Sequence, residues 1–83
     1  MTTRADVAEK MKDIFREEFD DPSLVLSDAT TANDVEGWDS AAQINLILAM
    51  EKAFKTRIRA RELNQAENFG QMVDYIVRVL GAA

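Results

Sequence analysis

The chain has 83 residues, of which 47% are apolar, enough for one small domain with a compact core and too few for a second. It contains no cysteine and no histidine, which excludes a disulfide framework, a cysteine nucleophile and the usual neutral-pH general base and metal ligand, and so argues against a self-contained serine hydrolase. A net charge of −5 disfavours a protein that binds phosphate backbones by counterion release, so nucleic acid is not an expected partner.

The N-terminus leads into charged, amphipathic sequence with no apolar signal core, and no run approaches membrane-spanning length, so the protein is read as soluble, cytoplasmic and without membrane insertion. Val7, Met11, Ile14 and Phe15 fall on one face at helical spacing, which predicts an amphipathic first helix. Thr3 and Asp6 approximate a capping box at its start. The helix is expected to fade at Asp20-Asp21-Pro22, because proline disfavours helical geometry in the residue before it. Residues 23–36 are rich in Ser, Thr, Asp and Asn and predict a long loop, pinned to the core by Leu24, Val25, Leu26 and Val35.

Gly37-Trp38-Asp39-Ser40 closes this loop and stands directly before an apolar helical run. Ser and Asp suit a helix N-terminus because their side-chain oxygens satisfy N–H groups that the first turn leaves unpaired. The same end stabilises negative charge, so a phosphodiester on Ser40 would be well placed there. Capping alone also accounts for the Asp-Ser pair. Trp38 reads either as core packing or as a contact beside Ser40.

Residues 40–54 predict a central helix that is apolar around much of its circumference, with Ile44, Ile47, Leu48 and Phe54 on one side and Leu46 and Met50 on another, and Met50 and the Leu and Ile residues read as core. Phe69, Met72, Val73, Ile76, Val77 and Leu80 recur at intervals of three and four, with Asn68 as the cap and Gly81 as the stop of a last helix.

Taken in order, these segments resemble an acyl carrier protein. Asp39-Ser40 matches the first two positions of the family's Asp-Ser-Leu signature, and residues 44–54 look like its second helix. Ile58 sits where the family has an isoleucine after that helix, and residues 61–63 and 68–76 resemble the third helix and the start of the fourth. The resemblance spans nearly the whole chain. It implies an all-α, four-helix bundle with a long loop between helices 1 and 2 and a short third helix. It also implies that Ser40 carries 4′-phosphopantetheine, delivered from coenzyme A by a phosphopantetheinyl transferase, and that acyl-loading and acyl-processing enzymes use the arm to hold cargo as a thioester. The carrier itself needs no catalytic residue, and a small solitary domain points to a monomer.

Several positions depart from the pattern. Ala41 replaces the signature leucine, which thins the apolar surface beside Ser40 and bears on recognition together with Asp39. Aligned from Ser40, Asn45 and Lys52 stand at positions that are acidic in fatty-acid carriers, Ala53 lacks another acid, and Glu51 retains one. Partner choice is therefore expected to differ. Lys55, Arg57, Arg59 and Arg61 form a basic cluster after the second helix, open to reading as a solvated run, as a docking patch for an acidic partner, or as counter-charges for an acidic cargo. The rival reading of the whole is an unmodified helical interaction module of the same shape.

Overall fold

The computed structural model describes residues 3–81. Four helices run in the order α1 (Arg4–Glu18), α2 (Ser40–Phe54), α3 (Ala60–Leu63) and α4 (Phe69–Val79), with a 3-10 turn at Ala32–Asp34 in the first connection, and no strand occurs among the described residues. Helix α1 packs against both α2 and α4. No helix among the described residues is long and apolar enough to cross a membrane.

Helix α1 starts where local chemistry demands it. Thr3 Oγ1 accepts from the Asp6 N–H at 3.1 Å and Asp6 Oδ2 accepts from the Thr3 N–H at 3.1 Å, so the two side chains satisfy each other's orphan donors. Val7, Met11 and Phe15 are fully buried and Ile14 packs beside them. The helix ends before Pro22 through Asp20, whose φ is +50°, a left-handed conformation that Asp tolerates better than most residues. The Asp21 N–H then donates to the Arg16 carbonyl and the Asp20 N–H to the Glu17 carbonyl, the paired bonds of a Schellman ending.

The connection between α1 and α2 is long but not structureless. Asp34 Oδ2 accepts from the Thr31 N–H and hydroxyl, which holds the 3-10 turn. Carbonyls of the loop also satisfy donors at the start of α4: Phe69 N–H donates to Thr30 O at 2.7 Å and Gly70 N–H to Asp28 O at 3.0 Å. Gly70 is required by that approach, since a Cβ there would lie 2.8 Å from the Cβ of Asp28. Arg4 adds a further tie, donating from Nε to Asp74 at 2.7 Å and from a terminal nitrogen to Asp28 and to the Gly70 carbonyl. The Asp74 hydrogen bond, helped by the charges of Asp74 and Asp28, raises the Arg4 pKa above its ordinary value.

Two expectations for the apolar residues need correction. Leu26 and Val35 are buried and Leu24 is partly so, but Val25 is 82% exposed, because it lies between two inward-facing neighbours in an extended stretch. Helix α2 buries Ala42, Leu46, Ile47 and Met50, whereas Ile44 is 59% and Leu48 57% exposed. Ile44 stands two residues from both Ala42 and Leu46, a turn of about 200° that carries it to the outer face.

In α4 the Asn68 side chain accepts from the Gln71 N–H at 2.8 Å, and Phe69, Met72, Val73 and Ile76 are buried as their spacing requires. Tyr75 joins them at 6% exposure, and Gly81 takes a φ of +68° after the helix. The centre of the core is aromatic: Phe15 meets Trp38 and Phe69 edge-on, with ring centroids 5.1 and 5.4 Å apart.

Candidate functional site

The start of α2 is set by Gly37, whose φ of +87° suits a residue without a Cβ. The chain turns there, Trp38 folds inward against Phe15 and Phe19, and Asp39 arrives in extended geometry as the N-cap. Asp39 Oδ1 accepts from the Ala42 N–H at 2.9 Å, and the Asp39 carbonyl takes the first helical bond from Gln43 N–H at 2.9 Å. The cap is therefore Asp39.

Ser40 is the first residue of the helix and is exposed. Its hydroxyl has no hydrogen-bond partner among the described residues, since the acceptor role that a cap serine would play is taken by its neighbour. The N–H groups of Ser40 and Ala41 also lack a protein acceptor among the described residues, which leaves the positive end of the α2 dipole open to an anion attached at this point.

Beside Ser40 lies a groove of about 530 Å³ between α2, α3 and the start of α4. Trp38, Ile44, Ile47, Leu63 and Met72 supply its apolar surface. Trp38 packs on the core through Phe15 and Phe19 and also borders the groove next to Ser40. Its indole Nε1–H donates to Gln43 Oε1 at 2.7 Å, and Gln43 Nε2 donates to Asn64 Oδ1 at 3.1 Å, a relay that links the α2 start to the residue after α3. Asp39 and Glu67 are the charged residues of the lining, and no lysine or arginine belongs to it.

The other residues singled out from sequence do not all gather here. Ala41 is exposed next to Ser40. Asn45 reaches away toward α1, donating from Nδ2 to Glu18 at 3.2 Å. Lys52, Arg57, Arg59 and Arg61 are exposed and do not belong to the groove lining: Lys52 lies near the far end of α2, and the three arginines follow on the return to α3, where Arg59 and Arg61 flank the groove residue Ala60. Gln43, Asn64, Leu63 and Met72 were not anticipated as groove residues. Gln43 follows Ser40 by three positions and so shares its side of the helix, a signal present in the sequence; Asn64 carries no comparable signal.

An added phosphodiester fits this arrangement: the hydroxyl is free and exposed, unpaired N–H groups adjoin it, and the groove begins at its side. A family model for the phosphopantetheine attachment site matches residues 9–76. An acyl carrier protein from Guillardia theta is 36% identical over 78 residues, covering 93% of this chain and 95% of that protein. The solution NMR structure of a holo acyl carrier protein from Geobacter metallireducens superposes with a TM-score of 0.83 at 36% identity, covering 92% of this chain and 87% of that one.

Proposed function

The chain belongs to the acyl carrier protein family, and from that membership we propose that Ser40 is the residue that bears its 4′-phosphopantetheine. The protein is an acyl carrier with a covalently attached phosphopantetheine group, and it interacts with acyl-processing enzymes. When bound, that group supplies a flexible arm ending in a thiol, the function that a chain without cysteine lacks, and so a point for thioester attachment.

The observation that carries the assignment to Ser40 is its free hydroxyl, exposed one residue after a cap that Asp39 already provides. Asp39 fixes where the helix begins, and Gly37 and Trp38 fix how the chain enters it, so the hydroxyl is presented from a rigid element. With no histidine in the sequence and Asp39 Oδ1 engaged by Ala42, the proposal gives activation of the hydroxyl to a separate phosphopantetheinyl transferase and gives the chain no catalytic step of its own. The unmodified interaction module is not favoured, as it leaves the free hydroxyl without a purpose.

The groove supports a second part of the reading, transient shelter for an apolar cargo. Ile44, Ile47, Leu63 and Met72 offer hydrocarbon contact, while Asp39 and Glu67 make the groove unfavourable to a carboxylate-bearing chain. Within this reading the protein works as a cytoplasmic monomer, for which gel filtration and cell fractionation are the checks.

Transfer of octanoyl-phosphopantetheine from octanoyl-coenzyme A by a broad-specificity transferase tests the carrier role. The expected product has one acyl-phosphopantetheine per chain, and hydroxylamine removes the acyl part alone. A product stable to hydroxylamine, or none while a control carrier is modified in parallel, contradicts the proposal.

A further inference from the structure

Ten residues, 52–61, hold five of the chain's ten basic side chains and none of its fifteen acidic ones, so this segment carries +5 and the rest of the chain −10. The five cations outside it are all engaged. Arg4 pairs with Asp74 and Asp28, Lys12 with Glu9 and Arg16 with Asp13, while Lys10 lies 5.3 Å from the Phe54 ring centroid and Arg78 5.3 Å from that of Tyr75. Lys52, Lys55, Arg57, Arg59 and Arg61 are all exposed, and none is within ion-pair distance of a carboxylate among the described residues.

The acids that flank the segment are turned to structural use. Glu51 Oε2 accepts from the Ile58 N–H at 2.8 Å, with Ile58 buried beneath the loop. Tyr75 accepts from the Arg59 N–H at 3.2 Å and donates its hydroxyl to Glu62 Oε1 at 3.0 Å. These bonds hold the backbone of the loop while its cations face solvent, so the ordering cost left for a partner to meet is that of the side chains and not of the backbone. Along α2, Ala41, Ile44, Leu48 and Lys52 follow at spacings of three and four on one outer face, leading from Ser40 to the basic segment. Ile44 and Leu48 are the large apolar residues of that face, at 59% and 57% exposure.

We propose that this outer face of α2 and the basic segment that follows form one docking surface for a partner protein whose own surface presents carboxylates beside an apolar patch. The partner's identity as an acyl-handling enzyme rests on the carrier reading; the charge argument does not. Counter-charges for an anionic cargo are the weaker account, because no lysine or arginine lines the groove beside Ser40. A polyphosphate or an anionic lipid surface would meet the five cations and then the −10 of the remaining chain, whereas a protein can confine its carboxylates to the patch.

The probes are a Glu/Leu amphipathic peptide, its Lys/Leu counterpart, phosphatidylglycerol vesicles and an RNA duplex, each titrated into the ¹⁵N-labelled protein after transferase treatment. The expected result is a set of amide shifts within residues 41–61 with the acidic peptide alone, diminishing as salt rises. Arg57→Glu with Arg59→Glu weakens that binding by roughly tenfold, and Arg57→Ala with Arg59→Ala by less, while circular dichroism stays unchanged. No shift with the acidic peptide at low salt, an equal response to the basic peptide, or tighter engagement of vesicles or RNA overturns the proposal. The intact mass of the same sample reports Ser40 modification separately, so failure of the carrier reading is distinguishable from failure of the docking surface.

Discussion

Asp39 and Ser40 are adjacent, both polar and both at the start of α2, yet the structure gives them different work, and a pair of substitutions separates the two. Asp39→Ala removes the acceptor that the Ala42 N–H uses at 2.9 Å, and loss of such a cap costs about 1 kcal/mol. In a domain of this size that lowers Tm by roughly 4–8 °C. Asp39→Asn keeps an acceptor at the same place and recovers most of the loss, short of the small contribution of a full charge at the dipole's positive end. Ser40→Ala removes a hydroxyl with no partner among the described residues from an exposed first helical position, and alanine is the stronger helix former. Its effect is within about 0.5 kcal/mol of zero. Urea unfolding followed by circular dichroism on the unmodified proteins reads both values. If Ser40→Ala loses as much stability as Asp39→Ala, the serine hydroxyl is structural and the argument from its freedom fails.

Three further outcomes follow from the packing. Gly70→Ala is destabilising although it replaces glycine within a helix, because the clash with Asp28 at 2.8 Å costs about 1–3 kcal/mol against a helix-propensity gain of about 1 kcal/mol, and adding Asp28→Gly recovers only part of the loss, since the Asp28 carbonyl oxygen stays 3.0 Å from the new Cβ and the pair with Arg4 is lost; a Gly70→Ala protein with a raised urea midpoint refutes the close approach. Ile44→Ser changes the urea midpoint little, while Leu46→Ala, two residues on and fully buried, costs about 2–5 kcal/mol; equal losses would contradict the assignment of α2's outer face. Arg4→Ala costs about 1 kcal/mol at low ionic strength through its exposed pairs with Asp74 and Asp28, and the loss shrinks as salt is added. A loss independent of salt would assign the role of Arg4 to its bond with the Gly70 carbonyl instead.

Helix boundaries were legible wherever a rule acts over three or four residues. Thr3 with Asp6, Asn68 with Gln71, and Gly81 at the end of α4 each act through a neighbour in the same turn, and each is found as expected. The family resemblance likewise identified the four helices and their order. The first connection was less legible, because its organisation depends on partners about 40 residues away: Asp28 and Thr30 accept from the start of α4, and nothing near them in sequence announces it. Ile44 and Leu48 were misplaced for a related reason. Apolarity records that a side chain can be buried, whereas burial depends on whether another element covers that face, and α1 and α4 leave this one uncovered. At the site, Asp39 and Ser40 were both candidates for the cap, and a shift of one residue in the helix start decides which of the two hydrogen-bonds and which stays free. The basic cluster was visible as a count of charges; that its flanking carboxylates are bonded inward required the contacts of Ile58 and Tyr75.

The most direct test of the central claim is the intact mass of the wild-type protein and of Ser40→Ala after incubation with coenzyme A, magnesium and a broad-specificity phosphopantetheinyl transferase. The account predicts the mass of one phosphopantetheine added to the wild-type chain and none to the variant. Addition to both proteins, or to neither while a control carrier is modified, would contradict it.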